Sequence, residues 1–275
     1  AHPKAADLLV PTEPLGEIFG EKLVAWLRGQ GVAVHSGRAV TGIQYDESGK
    51  ATGVVCGQDL VVADAVVLAV PWRAAKRLVP KLLPPVDESF VGSPITAVHM
   101  WFDQKIFDLP HAVLVGRVSQ WIFQGEEENS VSSEKSCRAP AKEVEHHCQV
   151  VISASRGICD GDRKELLETV VNELQEIFPK ARGARLMRSR IVTDPTAVLS
   201  VRPGIESVRP HATTPVENLF LAGDWTQTGW PSTMEGAVRS GRQAATQLLK
   251  MTDRKAECVV KDLHKNAFIR LLVGQ

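Results

Sequence analysis

Residues 218–241 read NLFLAGDWTQTGWPSTMEGAVRSG, and this stretch decides the fold. Leu219-Phe220-Leu221-Ala222 is a short apolar run of the kind that forms a buried strand. Gly223-Asp224 and a tryptophan-flanked loop follow. A helix then opens near Ser232, because Ser232 and Glu235 have the Ser-x-x-Glu spacing of a capping box. Met234, Ala237, Val238, Gly241, Ala245 and Leu248 continue at helical spacing, and that stripe is expected to be buried. A helix N-terminus carries unpaired amides and partial positive charge, which suits a phosphate or a ring that becomes anionic on reduction. Gly236 and Gly241 would let a cofactor or another backbone approach closely.

Upstream, residues 15–29 place Ile18, Phe19, Leu23, Trp26 and Leu27 at roughly helical spacing, with Gly29 or Gly31 to stop the helix. Turn-bounded β-branched runs at 32–34, 39–45, 52–56 and 65–70 read as strands, with a turn at 46–49. The run at 65–70 is apolar on both faces, as a covered parallel strand should be. Residues 95–102 alternate, with Ile95, Ala97, His99 and Trp101 on one face and Thr96, Val98, Met100 and Phe102 on the other. That pattern marks a second sheet, extended in antiparallel fashion by 113–115, 120–123 and 149–154. Residues 124–147 are polar, without period, and are expected to form a long mobile surface insertion. Residues 163–178 set Leu166, Leu167, Val170, Val171, Leu174 and Ile177 on one helical stripe ended by Pro179.

Composition narrows the function classes. The chain has 275 residues, 44% apolar and 23% charged, a globular profile. Acidic and basic residues balance at 32 each, so no global charge draws nucleic acid. The five cysteines lack CxxC spacing and no cleavable signal precedes them, which favours reduced thiols in a cytoplasmic compartment. No apolar run approaches the ~20 residues that span a bilayer, so any membrane contact is expected to be peripheral, on the inner face.

The chain resembles the flavin-containing amine oxidase and phytoene desaturase superfamily, and within it looks most like the squalene-associated FAD-dependent desaturases, now understood as hydroxysqualene dehydroxylases. The resemblance runs from about residue 11 to residue 249, interrupted at 124–147. It rests on residues 222–226 and 228–237, on 64–71, and on 192–195 with 200–204. It implies an α/β fold with a discontinuous FAD-binding domain (1–90 and 190–250), an inserted α+β substrate domain (91–189), and a helical tail (251–275).

The implied cofactor is FAD. On this resemblance Gly223 and Asp224 meet the ribitol or pyrophosphate region of the flavin nucleotide. The helix opening at Thr233, Met234, Glu235 and Gly236 lies against the flavin pyrimidine edge, where its amides stabilise charge on the reduced ring. Val40, in the expected strand 39–43, matches a position whose backbone holds adenine, and Val70-Pro71 ends the strand beside it. Family members begin with a strand, a GxGxxG turn and a helix, and no GxGxxG occurs here. The expected consequence is a fragment, or a chain whose N-terminal half another polypeptide supplies, unable to hold FAD alone. The resemblance places the absent strand as the shared neighbour of 65–70 and 219–222.

Plainer readings stand beside several of these. Gly223-Asp224 alone suits a turn, and Glu235 is a helix cap before it is a flavin neighbour. Trp225 and Trp230 either line a substrate tunnel or pack their own loop. His146-His147-Cys148 lacks a complementary pair at zinc spacing and reads as a solvated loop end, so no metal is expected. His99 reads as a hydrogen-bonded core histidine rather than an acid. The apolar positions of 250–275 suit a packed helix or a membrane-surface one.

The expected activity is hydride exchange with a lipophilic isoprenoid, most specifically reductive removal of the hydroxyl of hydroxysqualene. The alternatives are a carotenoid or phytoene-type desaturase, an amine oxidase, or a non-catalytic complementing subunit. The amine oxidase is weakened by the single tyrosine, Tyr45, since that class sets an aromatic pair before the flavin. No catalytic acid or base is identified.

Overall fold

The computed structural model describes residues 11, 13–83, 90–128, 144–159, 161–254 and 257–260. The chain divides into two compact units, one of 1–83, 210–226 and 238–275, the other of 84–209 and 227–237.

The first unit opens with a π-helical stretch, Glu17–Lys22, continued by α1 (Leu23–Gly29). Gly31, at φ +81°, ends it: the Gly31 amide donates to Arg28 O and the Val32 amide to Leu27 O, the paired bonds of a Schellman stop. The expected apolar stripe is there but lies at the surface, with Phe19 52% and Trp26 60% exposed. The expected strands at 32–34 and 39–41 do not form, since strand geometry persists only where a ladder partner exists. Val40 therefore lies in unpaired extended chain, and pairing starts where the Thr41 amide reaches Val55 O. β1 (Gly42–Tyr45), β2 (Ala51–Cys56) and β3 (Asp59–Val62) form an antiparallel meander, and β3 was not anticipated.

β4 (Val66–Ala69) and β10 (Leu219–Ala222) pair in parallel, with Val66 opposite Leu219 and Ala69 opposite Ala222. This overturns the expectation that a third strand separates them. β10 is buried throughout, whereas β4 buries Val66 and Leu68 and exposes Val67 and Ala69, so only one face of β4 is covered.

Asn218, fully buried, joins these pieces. Its Oδ1 accepts the Ala51 amide at 2.9 Å, and its Nδ2 donates to Ala51 O at 2.7 Å and to Asp64 O at 2.8 Å. A side-chain amide thus completes ladder bonds that no backbone satisfies.

α6 (Met234–Met251) buries a different stripe from the expected one. Met234, Ala237, Val238 and Gly241 are exposed, while Ser240 and Ala244 are buried. Ala244, with Leu248 and Met251, packs on Ala212, Phe220 and Ala222. Small residues win this face because they let the helix axis approach β10. Residues 234–237 of this helix belong with the second unit.

The second unit holds a five-stranded antiparallel sheet in the order β6-β7-β8-β5-β9, made of β5 (Gly92–Phe102), β6 (His111–Val113), β7 (Trp121–Glu128), β8 (Glu145–Ser153) and β9 (Leu186–Leu199). The alternation of β5 is as expected: Val98, Met100 and Phe102 face a core shared with Ile122, Val150 and Ile152. α4 (Arg163–Ile177) covers that face with Leu166, Val170 and Leu174, and Asp162 caps it by accepting the Lys164 amide at 2.8 Å.

β9 corrects the expected boundary, because residues 190–199 pair with β5 rather than continue the cofactor domain. Its Pro195 is tolerated at the edge of the sheet, opposite a register shift between Ser93 and Ile95. The expected insertion also contracts, since β7 reaches Glu128 and β8 starts at Glu145; residues 129–143 lie outside the described residues. The expected helical tail is absent over 252–254 and 257–260, and 261–275 lie outside the described residues. Among the described residues no helix is long and apolar enough to cross a membrane.

Two measurements test these packing claims. Asn218→Ala orphans the amide and carbonyl of buried Ala51 and removes a donor from Asp64 O, and should cost about 2–4 kcal/mol in urea unfolding. A loss below ~0.5 kcal/mol would show that the amide is dispensable.

Glu173 on α4 accepts the Val118 amide at 2.9 Å and the Ser119 amide at 2.8 Å. Partial burial pushes its carboxyl up, but the bonds from Ser119 and Val118 and the Arg117 charge together hold it below the usual glutamate range. With the folded-state value depressed, the contribution is complete above the unfolded pKa of ~4.3 and disappears as pH falls through the folded value. Acid unfolding should therefore begin at higher pH in Glu173→Gln, and coincident acid limbs would contradict this.

Candidate functional site

In the first unit the parallel register brings the carboxyl ends of β4 and β10 side by side, the place where open parallel sheets bind ligands. Val70-Pro71 leaves one strand and Gly223-Asp224 the other. Pro71 opens the short helix α2 (Trp72–Leu78), its carbonyl accepting the amides of Ala74 and Ala75.

Gly223 has φ +143°, and a Cβ there would stand 2.3 Å from Trp225 Nε1, so only glycine fits. Its amide donates to Ser240 Oγ at 2.7 Å, and its carbonyl accepts the Thr226 amide and hydroxyl. The turn is thereby locked, and half-buried Asp224 projects from it.

Trp225 corrects its expected role as a substrate contact. The ring is fully buried and Nε1 donates to Val70 O at 2.8 Å, so it ties the two strand ends together. Val40, 38% exposed ahead of β1, is not drawn into this group by its strand, because it has none.

In the second unit the loop 227–232 runs into the first turn of α6. The Thr233 hydroxyl accepts the Gly236 amide at 3.2 Å and donates to Pro231 O at 3.2 Å. A Cβ on Gly236 would lie 2.5 Å from Pro231 O. Gly236 therefore serves a backbone approach within the protein, while Gly241 meets open space. Met234 and Glu235 are exposed on the opening turn.

Trp230, 39% exposed, lines a cleft of about 390 Å³ with Leu199, Val201, Ile205, Pro231 and Arg209. Its walls are mainly aliphatic and aromatic, which suits an apolar molecule. The expected site residues thus fall into two groups, Pro71, Gly223 and Asp224 in one unit and Trp230 and 233–236 in the other. Sequence reasoning missed Ser240, Asn218 and Arg209, polar residues whose importance comes from tertiary partners alone.

A backbone-lined turn at a parallel strand end and the opening turn of an 18-residue helix are features that fit a flavin nucleotide.

His99, His146 and His147 lie elsewhere in the second unit. His146, His147 and Cys148 are in β8, which corrects the expected loop end. His147 Nε2 and His99 Nδ1 are 3.2 Å apart in a stacked pair beside Trp101. Burial, then the Arg190 charge, lowers the His99 pKa. Burial pushes the Cys148 thiol up to about 12. No group of three or more potential metal ligands occurs among the described residues.

Comparison with known proteins identifies a family. Residues 20–249 match the family model described as flavin containing amine oxidoreductase. Hydroxysqualene dehydroxylase from Sinorhizobium fredii is 33% identical over 190 residues, 69% of this chain and 40% of that protein. The Rhodopseudomonas palustris enzyme of the same name is 30% identical over 251 residues, 90% of this chain and 54% of that protein. A 15-cis-phytoene desaturase from Synechococcus elongatus is 28% identical over 205 residues, 71% of this chain and 42% of that protein. The chain spans about half the length of these relatives or somewhat less. Cyclohexylamine oxidase from Brevibacterium oxydans shares the fold at a TM-score of 0.57 and 17% identity, covering 84% of this chain and 53% of that one.

Gly223→Ala should displace Trp225 and cost about 1–3 kcal/mol, because it adds both backbone strain and a clash. Thermal or urea unfolding reads this directly, and a wild-type midpoint would contradict the locked turn.

Proposed function

The chain belongs to the flavin containing amine oxidoreductase family, and from that premise we propose that it works in an oxidoreductase acting on a lipophilic isoprenoid, reductively dehydroxylating hydroxysqualene to squalene. Its cofactor is FAD. The observation that carries the reading is similarity at 33% and 30% identity to two hydroxysqualene dehydroxylases. The mainly apolar cleft beside Trp230 supports it, since a hydrocarbon chain gains ~0.8 kcal/mol per buried CH₂.

The flavin, when bound, supplies hydride chemistry. The protein's part is to hold the ring against the first turn of α6, to keep water from the cleft, and to deliver a proton as the hydroxyl leaves. The phytoene desaturase reading needs the same cofactor site and the opposite direction of hydride transfer, so products separate the two.

A second element of the proposal is a completing polypeptide. It rests on a two-stranded parallel sheet with one face of β4 uncovered and on the exposed apolar stripe of α1, surfaces that parallel α/β folds normally bury. A segment carrying a strand, a GxGxxG turn and a helix fits that need.

Co-expression with such a segment should give a yellow protein that converts hydroxysqualene to squalene once its flavin is reduced. Desaturated phytoene as the only product would replace this reading with the desaturase one. In the same protein Asp224→Ala should weaken FAD binding by about 1–3 kcal/mol, roughly 5- to 150-fold. Full flavin occupancy after gel filtration would remove Asp224 from the cofactor site.

A further inference from the structure

Arg209 is the only charged side chain buried among the described residues. Removing a guanidinium from water costs several kcal/mol unless its donors are matched, so its bonds define what it is for. Nη1 donates to Glu206 Oε2 at 2.8 Å and to Trp230 O at 2.8 Å. Glu206, three residues earlier on the short helix α5 (Ile205–Val208), also accepts Gln227 Nε2 at its carbonyl, 3.1 Å away. Both ends of the loop 227–230 are therefore tied down, Gln227 to α5 and Trp230 to Arg209 just after it.

One residue further on, Pro231 O lies against Gly236 and accepts the Thr233 hydroxyl. A continuous path of bonds and contacts thus runs from the Arg209 guanidinium through the Trp230–Pro231 backbone to the first turn of α6.

We propose that Arg209 is a positioning residue for the flavin site. Its buried guanidinium fixes the Trp230 carbonyl, sets the direction in which α6 opens, and keeps the Trp230 indole in the wall of the apolar cleft. This rests on the reading that the first turn of α6 faces the flavin. Both bonds leave Nη1, whose two N–H groups lie in the guanidinium plane and point in fixed directions, unlike the rotating donors of a lysine ammonium. Ion pairing alone does not explain the residue, because Glu206 is half exposed and an exposed partner adds little.

The test compares wild type, Arg209→Met, Arg209→Lys and Glu206→Gln in the flavin-loaded protein completed by its GxGxxG segment. Arg209→Met should release flavin about tenfold faster, equivalent to ~1.4 kcal/mol. It should also change the visible band of the bound flavin and shift its reduction potential. Arg209→Lys should recover part of each effect, and Glu206→Gln, which keeps the Trp230 bond, should stay near wild type.

A flavin-independent readout uses hydrogen exchange in the 275-residue chain. Amides at 229–236 should open about tenfold faster in Arg209→Met, while β5 and β8 keep their protection. An Arg209→Met protein that merely melts lower, with unchanged flavin spectrum, potential, release rate and local exchange, would overturn the proposal. A wild type that takes up no flavin even when completed would instead sink the cofactor reading. The exchange pattern would then still decide whether Arg209 governs the turn.

Discussion

The carboxamide of Asn218 is the interaction on which the first unit depends. The meander β1-β2-β3 and the parallel pair β4-β10 are separate sheets, and Ala51, opposite Tyr45 in the meander, turns its amide and carbonyl to Asn218, as Asp64 turns its carbonyl. Asn218 stands just before β10 and satisfies three of those backbone groups from one buried side chain. Its own carbonyl accepts the Val66 amide, so the same residue also starts the parallel pairing. The register follows, and with it the side-by-side exit of Val70 and Gly223. The locked turn at Gly223, the Ser240 bond and the buried Trp225 ring are later steps of the same construction.

Each unit has its own buried core. In the second, a five-stranded sheet meets an amphipathic helix, and its buried apolar side chains form one continuous core. In the first, Val66, Leu68, Trp72, Leu219, Leu221 and Trp225 are buried in addition to the cluster between β10 and α6, and Phe19, Trp26 and Val67 remain at the surface. The pattern is selective, since the side of β10 that packs α6 is fully covered while apolar residues of α1 and β4 are not.

What was legible in the sequence was periodicity. The apolar run of β10, the alternation of β5 and the stripe of α4 each follow from spacing, because in those elements hydropathy and burial coincide. They part company in α6, where the buried face is built from Ser240 and Ala244, and Met234 and Val238 stay outside. Close helix approach selects small side chains there, which a hydropathy stripe ranks last. β9 was hidden by its charges and by Pro195, both acceptable on an edge strand. Val40 was misplaced because a β-branched run carries no information about whether a partner strand is present. Asn218 and Arg209 left no local signal at all, since a buried polar residue is explained only by groups distant in sequence.

The proposed dehydroxylation requires a proton where the hydroxyl leaves, and the described residues bear on which group can give it. His99 is a histidine whose titration the fold shifts. Burial and the Arg190 charge both disfavour its imidazolium, so at neutral pH the ring is uncharged. A neutral ring can share one proton with His147 across their 3.2 Å contact, and the stack with Trp101 holds both rings in that arrangement. An effective general acid needs the opposite tuning, with a pKa raised toward the working pH by a nearby negative charge. His99 thus belongs to the packing of the β5–β8 ladder, and a role in delivering the proton would run against its electrostatics.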